Sequence, residues 1–515
     1  MAGTAIPSPP IELKLRLAPA EMAALKDGGV LSPWRAAAPA TIRISSVYWD
    51  TPDLALAAAG IVLRIRAIGH SRLQTVQTAN SREGAVHSRR EWAWPIADDT
   101  PDTGVLRATG LPIFAKRATG AALRPVFSTS VLRTLHHLKG GDWDIDLSLD
   151  QGDAGIGDRH KPLCEAELEL TRGAPRHVFA LAAKLVEAAP NARVLTLSKA
   201  DRVHLLAADT PPLPVKAKPT RIVATMTVTG AFQAIARNCL DHLVANERCL
   251  LTTRDAEAIH QMRVALRRLR SAIKVFRRLV TGPDLDRLKG EMGWILGVLG
   301  PARDDHVFLS EIIEPVVSAH PETAPLTALK AEWMTERERN GAAALAAIAE
   351  PRFTRLLLAL AAWVEDGVWL SDTDRPGRDD AIGPFAARVL SRRDLRLRKM
   401  GGRDLSILAP AELHSVRIFG KQLRYAAEFF APLYPAKTTR PFLELLGELQ
   451  DGLGQLNDIA VAGTRLTMGQ SGDGLAWAAG LVAGWHAGRR PGLLAEAGRL
   501  WKRYRKIHRF WDDRR

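Results

Sequence analysis

Three cysteines in 515 residues, Cys164, Cys239 and Cys249, widely spaced and without a CxxC pair, leave no material for a disulfide framework or a thiolate zinc site. Aromatic residues are only 6% of the chain, too few for a platform of stacked bases. No uncharged apolar run reaches the roughly 18 residues of a membrane span, and MAGTAIPSPP has neither the charged start nor the apolar centre of a secretory signal. A cytoplasmic protein with no membrane partner is expected. Acidic charge is short as well: 56 Asp and Glu face 71 Lys and Arg, a formal net charge of +15 with a pI near 10. That balance favours a polyanion, whether nucleic acid, a phosphate polymer or an acidic lipid surface. The length exceeds what one hydrophobic core fills and predicts several domains.

What is present falls into two halves. IELKLRL (11–17), VLRIR (62–66), DIDLSLD (144–150) and CEAELEL (164–170) alternate apolar and polar with period two, as strands with unlike faces do. A helix is expected over 177–189. From AADTPPLPVKAKPT (207–220) the chain turns to proline and lysine without periodicity, a linker, and beyond it helical spacing takes over. Residues 221–515 hold 44 Lys and Arg against 34 Asp and Glu, while residues 1–220 hold 27 against 22, so most of the excess charge lies in the helical half.

In HQMRVALRRLRSAIK the 100° helical step puts His260, Arg263, Arg267, Arg270 and Lys274 within an arc of roughly 80°, opposite Leu266, Leu269, Ile273 and Phe276. A shift of 154 lays His414, Arg417, Lys421 and Arg424 over the first four of these. It also lays Phe430 over Phe276 and LGQLND (453–458) over LGPARD (299–304), without a gap across 45 positions. Lys274 alone meets an acid, Glu428. A duplicated helical unit would bring the two stripes together as a cationic groove for a linear anion. The bland alternative is a solvated face, or arginines neutralised by Asp304 and Asp458. Seeing the stripe twice at one offset favours the groove, and its lack of aromatics disfavours nucleic acid. Protonation of His260 and His414 near pH 6.5 would then strengthen binding on acidification.

These motifs, with LQDGLGQLNDIAVA and the terminal WKRYRKIHRFW, resemble the CHAD domain over about 224–515. The resemblance implies two pseudo-symmetric four-helix bundles, with halves about 224–375 and 376–515. It also implies inorganic polyphosphate held by His260, Arg263, Arg267, Arg270, Lys274, His414, Arg417, Lys421 and Arg424. His306 stands where that family often has a second aspartate.

In the strand half, period two puts Glu12, Lys14 and Arg16 on one face, Arg64 and Arg66 on another, and Glu165, Glu167 and Glu169 on a third. Pattern alone leaves an open, solvated sheet and a barrel with a charged lumen equally open. PIELKLRL, YWDTPDLALAAAGIVLRIR, HSRREWAWPI, CEAELEL and LSKADR, in that order, resemble the CYTH domain over about 6–208, with 209–223 as linker. An eight-stranded antiparallel tunnel barrel with flanking helices is implied, hydrolysing tripolyphosphate with Mg²⁺ or Mn²⁺. The resemblance assigns Glu12, Asp150, Glu165, Glu167 and Glu169 to metal, and Lys14, Arg64, Arg66, Arg133 and Lys199 to the triphosphate, with Glu12 counted in the catalytic set too. The family's E-x-E-x-K opening has Pro10 for its first glutamate, and family cations are replaced by Gln77, Ser128 and Thr171. Slow hydrolysis, or binding alone, is the expectation. A granule-tethered scaffold without catalysis is the alternative.

Overall fold

The computed structural model describes residues 11–27, 29–78, 91–195, 211–372, 374–467 and 473–512. Pro10 and Lys199 lie outside them. The chain divides into two compact units: Met1–Leu213 with Glu247–Thr253 and Ile348–Leu370, and Pro214–Asn246 with Arg254–Ala347 and Ser371–Arg515.

The first unit is built on one antiparallel sheet. Its strands are β1 Glu12–Arg16, β2 Ala40–Asp50, β3 Ile61–Ile68, β4 Ser71–Thr78, β5 Glu91–Pro95, β6 Arg124–Lys139, β7 Asp144–Ile156, β8 Arg159–Arg172 and β9 Arg193–Val194. They lie in the order β5-β4-β3-β2-β6-β7-β8-β1-β9. Nine strands replace the expected eight. The extra one, β9, pairs only two residues with β1, too short a stretch to leave an alternation in the sequence. The alternating apolar residues Leu13, Leu15, Leu147, Leu149, Ala166 and Leu168 are all buried on one face. Against β1 and β8 packs α2, Pro175–Ala188, through buried Val178, Leu181, Leu185 and Val186; α1 is Pro19–Asp27. Each such aliphatic side chain contributes about 1.5–3 kcal/mol of burial.

Eight of the longer helices follow in the rest of the chain: α3 Val228–Thr253, α4 Ala256–Val275, α5 Asp284–Val307, α6 Ala324–Ala349, α7 Pro351–Asp366, α8 Ile382–Gly401, α9 Pro410–Phe430 and α10 Ala436–Thr467, with α11 Asp473–Lys506 closing the series. The helix α7 belongs to the first unit and packs on α2. In the second unit the starts of α3 and α8, and of α4 and α9, are each separated by the 154 residues of the sequence repeat. Equivalent residues also meet. Thr227 bridges Ala381 antiparallel, the Val228 amide donating to the Asp380 carbonyl at 3.0 Å and the Ile382 amide to the Met226 carbonyl at 3.1 Å. The rings of Phe276 and Phe430 lie 6.2 Å apart. Reciprocal contacts between equivalent positions mark a local two-fold axis. The described part of the linker is not loose: Asn246 pins it with a hydrogen bond in each direction to the backbone of Val215, both 2.9 Å.

Candidate functional site

Register decides which side chains share the inner face of the sheet. Directly paired residues point the same way, and Glu12 pairs with Glu169, Lys14 with Glu167, Asp150 with both Glu165 and Arg133, Ser46 with Arg66, and Tyr48 with Arg64. The alternation of the sequence thus converges on one surface. The sheet is also strongly curved. Arg66 on β3 feels the charge of Glu167 on β8, four strand steps away, a separation of about 19 Å were the sheet flat.

On this surface opposite charges are locked together. Lys14 Nζ is 2.8 Å from Glu12 Oε1 and 2.9 Å from Glu167 Oε1. Arg133 donates Nε and Nη2 to the two oxygens of Asp150, at 2.6 and 2.7 Å, and Nη2 again to Glu167 Oε2 at 2.6 Å. Burial works against the Arg133 charge, but the Asp150 hydrogen bonds and Glu167 outweigh it, so its pKa rises. Asp150 and Glu165 are fully buried, Glu167 is half-buried and Glu169 is exposed at the rim. Arg64 and Arg66 stand beside each other at half-buried positions, and the pKa of Arg66 falls to about 10, first through Arg64, then through burial and Arg133. Three arginines crowding one another make a site that gains by receiving an anion. Next to them on the same face an apolar patch of Ile44, Tyr48, Phe127, Val131, Ala154 and Leu163 is sealed by Tyr48 stacking on Phe127 at 4.0 Å.

Of the substituted family positions, Gln77 is on this face and buried, its Nε2 without an acceptor among the described residues. Ser128 is exposed on the opposite face from Arg133, because an odd number of residues separates the two in an alternating strand only if they share a face, and five steps do not. Loss of a cation at Ser128 therefore takes nothing from this surface, contrary to the expectation. Thr171 sits at the exposed end of β8, its hydroxyl donating to the Asp144 carbonyl at 3.0 Å. Sequence reading passed over Glu91, which pairs with Gln77 across β4 and β5 and comes within 3.7 Å of Arg64. It follows HSRR, where basic residues mask the period-two signal.

The five carboxylates assigned to metal do share the face. Among the described residues, however, no group of three or more His, Cys, Asp or Glu side chains is arranged to hold a metal ion. Lys14 and Arg133 stand between them instead. The surface as built does not fit a divalent ion, which wants several oxygens at roughly 2.0–2.6 Å.

In the second unit the two stripes meet. Lys421, on α9, has its pKa lowered to about 8 by burial, then by Arg417, by Arg267 from α4 and by Arg424, with Asp458 opposing them. Arg267 and Lys421 are equivalent positions of the repeat, so the axis runs between them. Arg267, Arg270 and Lys274 are exposed and Arg417 is half-buried, none paired with a described carboxylate. His414 is exposed and faces Asn457 at 2.6 Å.

Two members depart from the expected display. Arg263 is buried, donating to the carbonyls of Leu299 (3.1 Å) and Gly300 and lying 3.1 Å from Asp304. The helix α5 covers the first turns of α4, which angular position along α4 alone could not reveal. Arg424 lies 3.3 Å from Glu428, whose pKa is raised by burial. The bland reading thus holds for these two. His260 also corrects the acidification argument: burial, then Arg303 and, behind it, Arg263 and Arg267, lower its pKa to about 4, with Glu257 opposing, so in the free protein it carries no charge at pH 6. Arg303, half-buried and named in no expectation, is the added cation. It occupies the position of Asn457 in the other half of the repeat. His306 likewise has its pKa lowered by burial, Arg303 and Arg337.

Comparison with known proteins follows this division. The CYTH domain profile matches residues 8–203 and the CHAD domain profile residues 234–467. The chain is a CYTH-CHAD protein. The solved CHAD domain of the plant Ricinus communis is 32% identical, covering 57% of this chain and 98% of that one with a TM-score of 0.51. An inorganic triphosphatase of Haemophilus influenzae is 32% identical over 167 residues, 32% of this chain. The match spans 46% of that relative's length. HpAC1 from Hippeastrum, described as having a dominant triphosphatase activity, is 19% identical over 39% of this chain and 96% of its own, with a TM-score of 0.29, too loose a likeness to bear on function. Among the described residues of this CYTH-CHAD protein, no helix is long and apolar enough to cross a membrane.

Proposed function

We propose that this CYTH-CHAD protein binds inorganic polyphosphate through its CHAD domain, and binds and slowly hydrolyses inorganic tripolyphosphate in its CYTH domain, as a cytoplasmic protein. The CHAD domain acts as two pseudo-symmetric four-helix bundles with the groove between equivalent helices. The observation that carries this reading is the crowding of Lys421 by Arg267, Arg417 and Arg424 from both stripes, with Arg270 and Lys274 exposed further along α4 and Arg303 beside His260 adding positive charge. Evenly spaced negative charge relieves such crowding at several points together, and a flanking wall of protein reduces its screening by salt.

In the CYTH domain the convergence of Arg64, Arg66 and Arg133 supports a compact triphosphate. Their fixed guanidinium forks suit phosphate oxygens and the charge that builds on a departing phosphate. The experiment is phosphate release from tripolyphosphate by the full chain, with and without Mg²⁺ or Mn²⁺, beside calorimetric binding of long-chain polyphosphate. Absence of polyphosphate binding at physiological salt, or its displacement by RNA, would defeat the proposal for the CHAD domain. A second reading, a non-catalytic scaffold that tethers to polyphosphate granules, is favoured by the internal pairing of Lys14 and Arg133 with the carboxylates. Binding of tripolyphosphate without phosphate release under either metal selects it.

A further inference from the structure

We propose that Lys14 is the resident cation of the CYTH domain: its ammonium holds the place between Glu12 and Glu167 that a divalent ion would need, and metal enters only when a phosphate anion draws the ammonium away. The inference rests on reading the CYTH domain as a triphosphate site. The face is rich in carboxylates, yet no metal-holding group is gathered on it among the described residues.

The side chain of Lys14 is 9% exposed and spans 2.8 and 2.9 Å to carboxylates on two strands. The strand register fixes this arrangement, since Lys14 lies directly across from Glu167 and Glu12 from Glu169. An ammonium and a divalent ion cannot share the two oxygens, because like charges a few ångströms apart in a poorly hydrated site repel strongly. Of Lys14 and Arg133, the cations that these described carboxylates clasp, Lys14 has the side chain that can swing. Arg133 is held as a rigid fork by Asp150 and Glu167 together, whereas lysine is a point charge on a flexible stem that can swing to a phosphate oxygen while its backbone stays in the ladder. Arg64 and Arg66 give the incoming anion a place to land within the same face.

The test is Mn²⁺ uptake by the full chain, followed by the loss of the free-ion electron paramagnetic resonance signal. Without phosphate, the wild-type protein is expected to take up Mn²⁺ weakly, and Lys14→Met to bind one ion at least about tenfold more tightly. Adding Glu167→Gln to Lys14→Met should abolish that gain. Tight, micromolar Mn²⁺ uptake by the wild type, or unchanged affinity in a folded Lys14→Met, overturns the proposal. Should circular dichroism show Lys14→Met unfolded, orthophosphate added to the wild type decides: stronger Mn²⁺ uptake supports displacement, and unchanged uptake refutes it. Calorimetry of tripolyphosphate on an Arg267→Glu/Arg417→Glu chain, whose CHAD groove is disabled, tests the underlying reading separately. No binding there removes the triphosphate assignment and leaves the Mn²⁺ result standing.

Discussion

Lys421 titrates within reach of ordinary buffers because burial and three arginines oppose its charge. Its pKa near 8 lies below that of an unfolded lysine, so the fold loses stability as pH falls from the ordinary lysine value to about 8, below which both states are protonated and the cost is constant. Anion binding has the opposite sign, since the bound polyanion favours the protonated form. Polyphosphate affinity should therefore weaken above pH 8, log K falling by up to about one per pH unit. Lys421→Met should bind more weakly and show a flat profile by calorimetry between pH 7 and 9. Arg66 makes a parallel case. Its charge is opposed chiefly by Arg64, so Arg66→Met should weaken tripolyphosphate binding while leaving the melting temperature unchanged or higher. A destabilised Arg66→Met with intact affinity would contradict that account.

At the scale of elements, period two was enough to place Glu12 with Lys14, Arg64 with Arg66, and Glu165 with Glu167, each set on one face of its own strand, because one strand's own chemistry records which side meets water. It could not say which cation would clasp which acid. Register and sheet curvature set the Lys14–Glu167 and Arg133–Asp150 contacts, and both arise from partners remote in sequence. Arg263 shows the same limit on a helix: its angle fits the stripe, yet α5 covers it. Reversing Arg263 would test folding more than binding. The two-residue β9 was likewise beyond any periodic signal. It nonetheless carries Arg193, whose buried guanidinium donates to the carbonyls of Pro190 (3.1 Å), Ala192 (2.8 Å) and Ala349 and to Thr354 Oγ1 (3.3 Å), with Glu247 Oε1 at 3.6 Å from its Nε. It ties α7 into the first unit. Arg193→Met, leaving those carbonyls without their donor and Glu247 without its counter-charge, should cost about 3–5 kcal/mol in a urea titration; a loss below 1 kcal/mol would show the clasp to be dispensable.

For the whole molecule, the assignment of Glu247–Thr253 and Ile348–Leu370 to the first unit means that the boundary drawn at the proline-rich linker does not separate two self-contained pieces. Binding is thus best measured on the intact chain. There, Arg267→Glu with Arg417→Glu should reduce polyphosphate affinity by roughly tenfold to a hundredfold and leave tripolyphosphate turnover unchanged. Affinity in the wild type should fall with added salt, as expected of exposed cations.

The contact of Thr227 with Ala381 and the pairing of Arg267 with Lys421 in one field have a directional consequence. A filament laid over this dyad can be turned end for end and still find nearly identical donors. Inorganic polyphosphate has no head or tail, so both orientations count towards occupancy. Lys274 against Glu428 and Arg303 against Asn457, unlike residues at matching positions, tell left from right.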